Sequence, residues 1–415
     1  MGSNLNKSME KVKDNGLSFT FSIDKEKTVN HNLNMTRRRQ GILVKSSLVA
    51  SERYNTYVPK PLPPVPVINL SEINEWLEQA NIIAGELNGI VENIIDPAII
   101  NYTYVRKEAV LSSQIEGTQS TLDDLLQYES AGTAGVPVDD VEEVSSYVAA
   151  LNHGLKRIQE GFPISVRLIR EIHKILLQNS RGKNKTPGEF RRTQNWIGGT
   201  RPGNAHFIPP PPDKMKENLS DLEKFINKKD KMSILVKAAL IHHQFETIHP
   251  FLDGNGRTGR LLITLYLYSA GFLRSPFLYL SMFFCRHRDV YYDKLMEVRK
   301  TGNWESWLNF FLEGVAETAK DAKKTLIEIN TLFTHDSEKV NALGRASPSA
   351  VIILTEFKKK PVLNITEITS RTGFTKPTAI SIVKRLIELG IVKNISEKKW
   401  GQIYAYSGYI KLLAV

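Results

Sequence analysis

His249-Pro250-Phe251-Leu252-Asp253-Gly254-Asn255-Gly256-Arg257-Thr258-Gly259-Arg260 sets an imidazole, a carboxylate, a glycine-flanked amide and two guanidinium groups in one turn. Three glycines in six positions let the backbone curl so that successive N–H groups point inward. Such a nest at a helix N-terminus binds anions, because unpaired amides and the helix dipole both favour negative charge. The following run, Leu261 to Gly271, is apolar nearly all round, which predicts a buried central helix stopped by Gly271. The remaining helices must then pack around it. Arg257 and Arg260, three apart, share a face of the first turn and can hold successive phosphates. Asp253 offers a hard oxygen to Mg²⁺, and His249 can take a proton near neutral pH.

At every fixed position the stretch matches the motif HxFx(D/E)GNGRxxR, and on it the chain resembles the Fic family of protein adenylyltransferases. The resemblance implies a mainly α fold, a Fic-type helical bundle carrying a β-hairpin flap. It implies ATP as substrate, with Gly254, Asn255, Gly256, Arg257, Thr258, Gly259 and Arg260 around the nucleotide, Asn255 on an α-phosphate oxygen and Phe251 facing the core. Mg²⁺ on Asp253 would bridge the phosphates. His249 would act as general base, drawing the proton from a Ser, Thr or Tyr hydroxyl of a target protein as it attacks the α-phosphorus. Tyr292, with Tyr291 beside it, is implied as a wall of the adenine pocket; the alternative is that both rings are core. Within the Gly/Pro/Asn-rich stretch 182–212, which reads as a loop or hairpin with short arms, Ile197, Gly198, Gly199, Thr200 and Arg201 fall where the family has its target-docking flap. Ser112-Ser113-Gln114-Ile115-Glu116-Gly117 fits the family's inhibitory pattern (S/T)xxxE(G/N), with Ser112 and Glu116 four apart on one helical face. There the resemblance implies that Glu116 pairs with Arg260 and keeps the γ-phosphate out of its productive position.

Residues 1–60 carry 11 basic and 5 acidic side chains and residues 347–415 carry 11 and 4, so the stretch between them, with 33 and 35, is net −2 although the chain is +11. Attraction to nucleic acid would therefore arise at the ends, not at the phosphate loop. One cysteine, Cys285, excludes an internal disulfide framework and fits a reducing compartment. With no secretory h-region and no apolar run near the roughly 18 residues that span a bilayer, a cytoplasmic protein without a membrane partner is expected.

Three units follow from composition. Residues 1–57 are a polar, basic arm, expected to be partly disordered, with strand-like alternation at Ser18–Ile23 and the cluster Arg37-Arg38-Arg39. A proline-rich connector at 57–66 opens the second unit, 58–343, where apolar spacing of three and four predicts helices over 74–91, 104–115, 121–129, 138–159, 166–178, 213–227 and 233–245. Further helices are expected from Val290 and over 304–313, with a long helical connector to Leu343. His242 and His243 are read as packing residues, since adjacent side chains point about 100° apart on a helix and no third ligand joins them. The third unit, 344–415, reads as a small winged-helix domain: helices at 350–357, 365–373 and 376–389, then two strands around 396–401. Its last helix presents Thr375, Lys376, Thr378, Ser381 and Lys384 outward, which suits DNA or, equally, protein contacts.

The reading is thus AMP transfer restrained by Glu116. The alternatives are removal of AMP or another phosphate-linked transfer in the same fold, and a nucleotide-sensing regulator that binds DNA. Target identity is not legible, and an inhibitory helix with a strand-like arm would suit a homodimer.

Overall fold

The computed structural model describes residues 38–49, 52–94, 97–132, 136–178, 181–396 and 401–413. The expected strand at 18–23, Arg37 and the wing turn at 397–400 lie outside them. Two short sheets flank a helical body. Strands β1 (Ile42–Val49) and β2 (Glu52–Val58) form an antiparallel hairpin, with Ile42 opposite Val58 and a register shift between Ser47 and Val49. The expectation of a loose arm to residue 57 is therefore corrected for 38–49 and 52–57. Tyr54, Thr56 and Val58 alternate onto the buried face. Arg39 is no free surface charge either: its Nη1 lies 2.6 Å from Glu305 Oε2, and Nε and Nη2 donate to Pro66 O and Val67 O.

Helices α1 (Asn74–Ile94), α2 (Pro97–Ile115), α3 (Leu122–Ala131), α4 (Val138–Gln159), α5 (Val166–Leu177) and α6 (Pro212–Asn227) surround α7 (Ile234–Ile248) and α8 (Asn255–Ser269). Local chemistry sets the ends. Thr121 and Asp124 form a reciprocal capping box at α3, which Gly132 closes in the left-handed region (φ 67°), and Ser165 caps α5. Every residue of α7 from Leu235 to Ile248 is buried, as is α8 through Leu267 apart from Gly256. This is the predicted all-round apolar centre. Beyond it come α9 (Ser281–Arg286), α10 (Arg288–Thr301) and α11 (Trp304–Asn341). The predicted helix at 304–313 and the connector after it are one 38-residue helix, capped by Asn303 and packed along α1. Trp307 pins it to the centre by donating from Nε1 to Ala239 O, 3.0 Å.

The C-terminal unit runs α12 (Ser347–Lys359), β3 (Val362–Asn364), α13 (Ile365–Thr372), α14 (Lys376–Glu388), β4 (Lys393–Asn394), β5 (Ile403–Ala405) and α15 (Ser407–Leu413), with sheet order β3-β5-β4. Three helices and a three-stranded antiparallel sheet are followed by a C-terminal helix. The unit abuts α2 and α3: Thr103 and Tyr409 share a buried hydroxyl contact of 2.9 Å, and Ser130 Oγ donates to Val362 O, 2.8 Å. No helix of the described residues is long and apolar enough to cross a membrane.

Candidate active site

The phosphate loop joins the C-terminus of α7 to the N-terminus of α8. His249 caps α7 in the left-handed region (φ 48°, ψ 62°), where its N–H still bonds Phe245 O at 2.9 Å. Pro250 cannot extend the helix. Gly254 (φ 74°) is the turn into α8, and its N–H donates to Asp253 Oδ1, 2.6 Å. The next amides have no intrahelical carbonyl within reach, an arrangement that favours an anion at this helix end.

Two residues expected at the nucleotide also build this loop. The Asn255 amide brackets Phe251, accepting from its N–H and donating one of its two amide N–H groups to its carbonyl, both at 2.9 Å. Thr258 Oγ1 donates to Gly254 O, 2.8 Å, closing the first turn. Phe251 faces the core as expected and stacks on His173, with ring centres 3.6 Å apart. His173 is a residue that sequence reasoning missed. Its Nδ1 accepts from Gly188 N–H, so Nε2 carries the proton and donates to Asp253 O, both at 2.9 Å. Burial lowers its pKa to about 4, which keeps that neutral tautomer.

Neither motif arginine is free. Arg260, 2% exposed, donates from Nε to Ser112 Oγ, 2.9 Å, and from Nη2 to Ser112 O, 2.9 Å, and Glu116 Oε1, 2.7 Å. A side chain at Gly256 would collide with Glu116 Oε1, so the carboxylate rests against the helix entrance. Burial would raise the Glu116 carboxyl, but the charge and hydrogen bond of Arg260, with Arg257 and His249 behind, outweigh it and hold it below the usual range. Arg257 pairs instead with Glu143 of α4, Nη1 to Oε1 2.8 Å, and lies 3.7 Å from Asp253 Oδ1. Glu143 had no signal in the sequence beyond being one acidic residue in an acidic turn.

His249 is half-buried, with Nδ1 enclosed and unpartnered among the described residues. Its pKa is held well below 6.5, first by burial, then by Arg299 and Arg191. The ring is therefore neutral at pH 7 and can accept a proton. One turn earlier, burial lifts the Glu246 carboxyl to about 7; its Oε1 faces Gly259, where any side chain would collide with it. The tyrosines separate as adjacent helical residues must. Tyr291 is core, 1% exposed, stacked on Phe284 at 4.5 Å and bonded through its hydroxyl to His242 Nε2, 2.9 Å, which corrects its placement at the nucleotide. Tyr292 is 39% exposed. Both histidines of the pair are packing residues, His243 Nε2 meeting Leu295 O at 3.1 Å.

The flap is a minimal hairpin. Ile197 and Phe207 make one antiparallel bridge, Gly198 and Gly199 turn with φ 69° and 70°, and Asn204 Oδ1 accepts from Thr200 N and Arg201 N. Residues 198–201 are exposed. Behind it, Tyr57 N donates to Ile208 O, 2.9 Å, so β2 braces the flap.

These buried groups dictate an acid response. His173, His242, His243 and His249 are all shifted down, burial being the largest cause, while burial raises Glu108 and Glu246 to about 7. Below about pH 6.5 the unfolded chain protonates four imidazoles that the fold keeps neutral. The fold in turn keeps protons on two carboxyls that the unfolded chain sheds. The unfolded state's excess thus rises from about half a proton at pH 6.5 to about two at pH 5, and stability is expected to fall by about 1 kcal/mol per pH unit at the start of that window, steepening to about 3 at its end. Thermal scans at fixed ionic strength check this; a Tm constant or rising from pH 6.5 to 5 would contradict it.

The sequence pattern of the Fic/DOC family matches residues 163–267, and that of the Fic/DOC N-terminal region matches residues 74–156. The protein adenylyltransferase Fic of Culex quinquefasciatus is 30% identical over 187 residues, 44% of this chain and 34% of that one. The Drosophila melanogaster protein of the same name is 31% identical over 140 residues, 33% of this chain and 27% of that one. The chain thus spans about a third of the length of the curated relatives it matches. The crystal structure of a Fic family protein from Desulfovibrio desulfuricans G20 matches with a TM-score of 0.54 over 82% of this chain and 97% of that chain, at 18% identity, a likeness of fold. Within residues 74–267 the chain is thus similar to the Fic/DOC family in sequence pattern.

Proposed function

We propose that the chain is a protein adenylyltransferase, moving AMP from ATP to a Ser, Thr or Tyr hydroxyl of a target protein, and that Glu116 keeps it latent. One observation carries the reading: a neutral imidazole ends α7 one short turn before the open amides of α8, where Arg260 donates to the Glu116 carboxylate at 2.7 Å. In this reading the triphosphate lies along the N-terminus of α8, with its outer phosphates on Arg257 and Arg260 once their carboxylate partners give way. The hydroxyl oxygen attacks the α-phosphorus, its proton passes to His249, and the bond from that phosphorus to the bridging oxygen breaks, releasing pyrophosphate. Charge develops on the leaving phosphates, where the guanidinium groups and the helix dipole are aimed.

Asp253 suits Mg²⁺. Its Oδ1 is engaged by Gly254 N–H, its side chain is 43% exposed, and one carboxylate with phosphate oxygens is the usual donor set for this ion. Mg²⁺ bound there would neutralise the leaving phosphates. Among the described residues no group of three or more His, Cys, Asp or Glu could hold a metal without a nucleotide.

The test is ATP labelled at the α- or the γ-phosphate, given with Mg²⁺ and candidate targets to the Glu116→Gly variant. Label from the α position alone is expected on protein. Label from the γ position would instead mean phosphorylation, and loss of AMP from a pre-modified target would mean removal by the same site.

The basic C-terminal unit supports a second role. Lys376, Ser381, Lys384 and Arg385 are exposed on α14, a spacing that can follow a phosphate backbone. Salt-sensitive retention of duplex DNA that disappears in a Lys376→Ala/Lys384→Ala variant is expected; retention unchanged by the pair excludes this face.

A further inference from the structure

We propose that Arg191 is a positioning residue for the transfer, fastening both arms of the flap to the backbone of His249 so that target register and base placement are set by one side chain. Arg191 is 1% exposed, and its guanidinium is held by carbonyl oxygens. Nε donates to His249 O, 3.0 Å; Nη2 donates to Pro210 O, 2.5 Å, and Ile248 O, 3.4 Å; Nη1 donates to Thr193 O, 3.4 Å. Its own N–H donates to Pro250 O, 3.0 Å. Residues 191–193 lead into the flap and Pro210 leads out of it, so the entrance arm, the exit arm and the catalytic turn meet on this group.

The arrangement answers two physical needs. Ile248 and His249 end α7, where unpaired carbonyls and the negative end of the dipole favour a cation. His249 also sits in the left-handed region, a conformation that costs a non-glycine L-residue free energy and is held by its surroundings. Arg191 Nε and N–H grip the carbonyls of His249 and Pro250, on either side of the Pro250 Cα, and Asn195 Nδ2 adds bonds to His249 O, 3.3 Å, and Phe251 O, 2.9 Å. A lysine cannot reproduce this, since one ammonium cannot span carbonyls that a planar fork reaches from three nitrogens. The charge also acts on the ring. With Arg299 from α10, and against Glu116, it disfavours the protonated imidazole.

This inference rests on His249 being the base, but its test also has a readout that does not. Full-length Arg191→Lys and Arg191→Met chains, made in the Glu116→Gly background, are compared with that parent for kcat, KM for ATP and hydrogen exchange of the peptides covering 194–208 and 249–255. The expected result is a kcat lower by about 10-fold for Lys and 100-fold or more for Met, a KM for ATP within twofold, and exchange at least tenfold faster in both peptides while α4 and α8 keep their protection. A kcat within twofold of the parent overturns the proposal, as does faster exchange spread over the whole chain with an equal rise in KM. If the parent transfers no AMP, the function reading fails and exchange alone decides: the two peptides loosen together, or the shared fastening is wrong.

Discussion

Glu116→Gly is expected to incorporate AMP into protein on the order of 10–100 times faster than the wild-type chain. Arg260 is 2% exposed and presents Nη2 to Glu116 Oε1 at 2.7 Å, where an outer phosphate oxygen would have to sit. A hydrogen bond to a charged group contributes roughly 1.5–3 kcal/mol, and each 1.4 kcal/mol is tenfold in an equilibrium. The Glu116 side chain is 37% exposed, so solvent screens part of that attraction and the lower half of the range is the better expectation. The gain should come from the carboxylate, not from loss of the helix. Helix α2 is anchored independently by Glu108, which accepts from Ser281 Oγ and, at 3.3 Å, from Tyr147 OH, and by the Thr103–Tyr409 contact. The Ser112 bonds to Arg260 survive the substitution as well, so the guanidinium keeps its aim. Glu116→Gln, which keeps the shape and loses the charge, should fall between the two. Incorporation of α-labelled phosphate measures the series; equal rates for wild type and Glu116→Gly would remove Glu116 from any restraining role.

How much of this could be read from residues alone follows the distance over which each contact acts. The loop 249–260 was legible because the groups that define it are neighbours in sequence, and the apolar run after it had one plausible fate. Glu116 against Arg260 came only from a recurring pattern, since 144 residues separate the partners. Glu143 on Arg257, His173 on Asp253 and Arg191 on His249 were silent for the same reason: each is an ordinary residue of a helix or loop until tertiary packing brings it to the site. Asn255 and Thr258 have a use in the loop that residues alone do not reveal, because a polar side chain beside a nest serves phosphate or backbone equally well, and each here bonds the backbone turn.

At the N-terminus the strand period of Ser18–Ile23 lies outside the described residues, while the described hairpin of β1 and β2 carries a weaker pattern, with Tyr54, Thr56 and Val58 alternating inward over less apolar residues. The long helix α11 was divided because its pattern changes where it leaves the central helices for the C-terminal unit, and changed partners alter periodicity without ending a helix.

His249→Asn is expected to lower AMP transfer by about 10²–10⁴ while ATP still binds within threefold of the parent. Asparagine is the informative replacement. His249 has φ 48°, a region that asparagine enters more readily than alanine, so the turn into Pro250 and its bonds to Arg191 keep their geometry while the proton acceptor is lost. The nucleotide's main supports, the amides of α8 and the two arginines, start further along the chain and do not involve the imidazole. The loss should therefore fall on kcat, with KM for ATP little changed. The pH dependence separates a base from a structural ring. With the imidazole's proton affinity held low by burial, Arg299 and Arg191, the parent should transfer with little change from pH 8 down to the onset of acid unfolding, not lose activity near 6.5. Raising Glu116→Gly transfer rates across that range, with unfolding followed in parallel, tests both points. Transfer by His249→Asn within threefold of the parent would show that the attacking hydroxyl gives its proton to some other group, and Glu246, one turn away and lifted by burial to about 7, would then be the acceptor to test next.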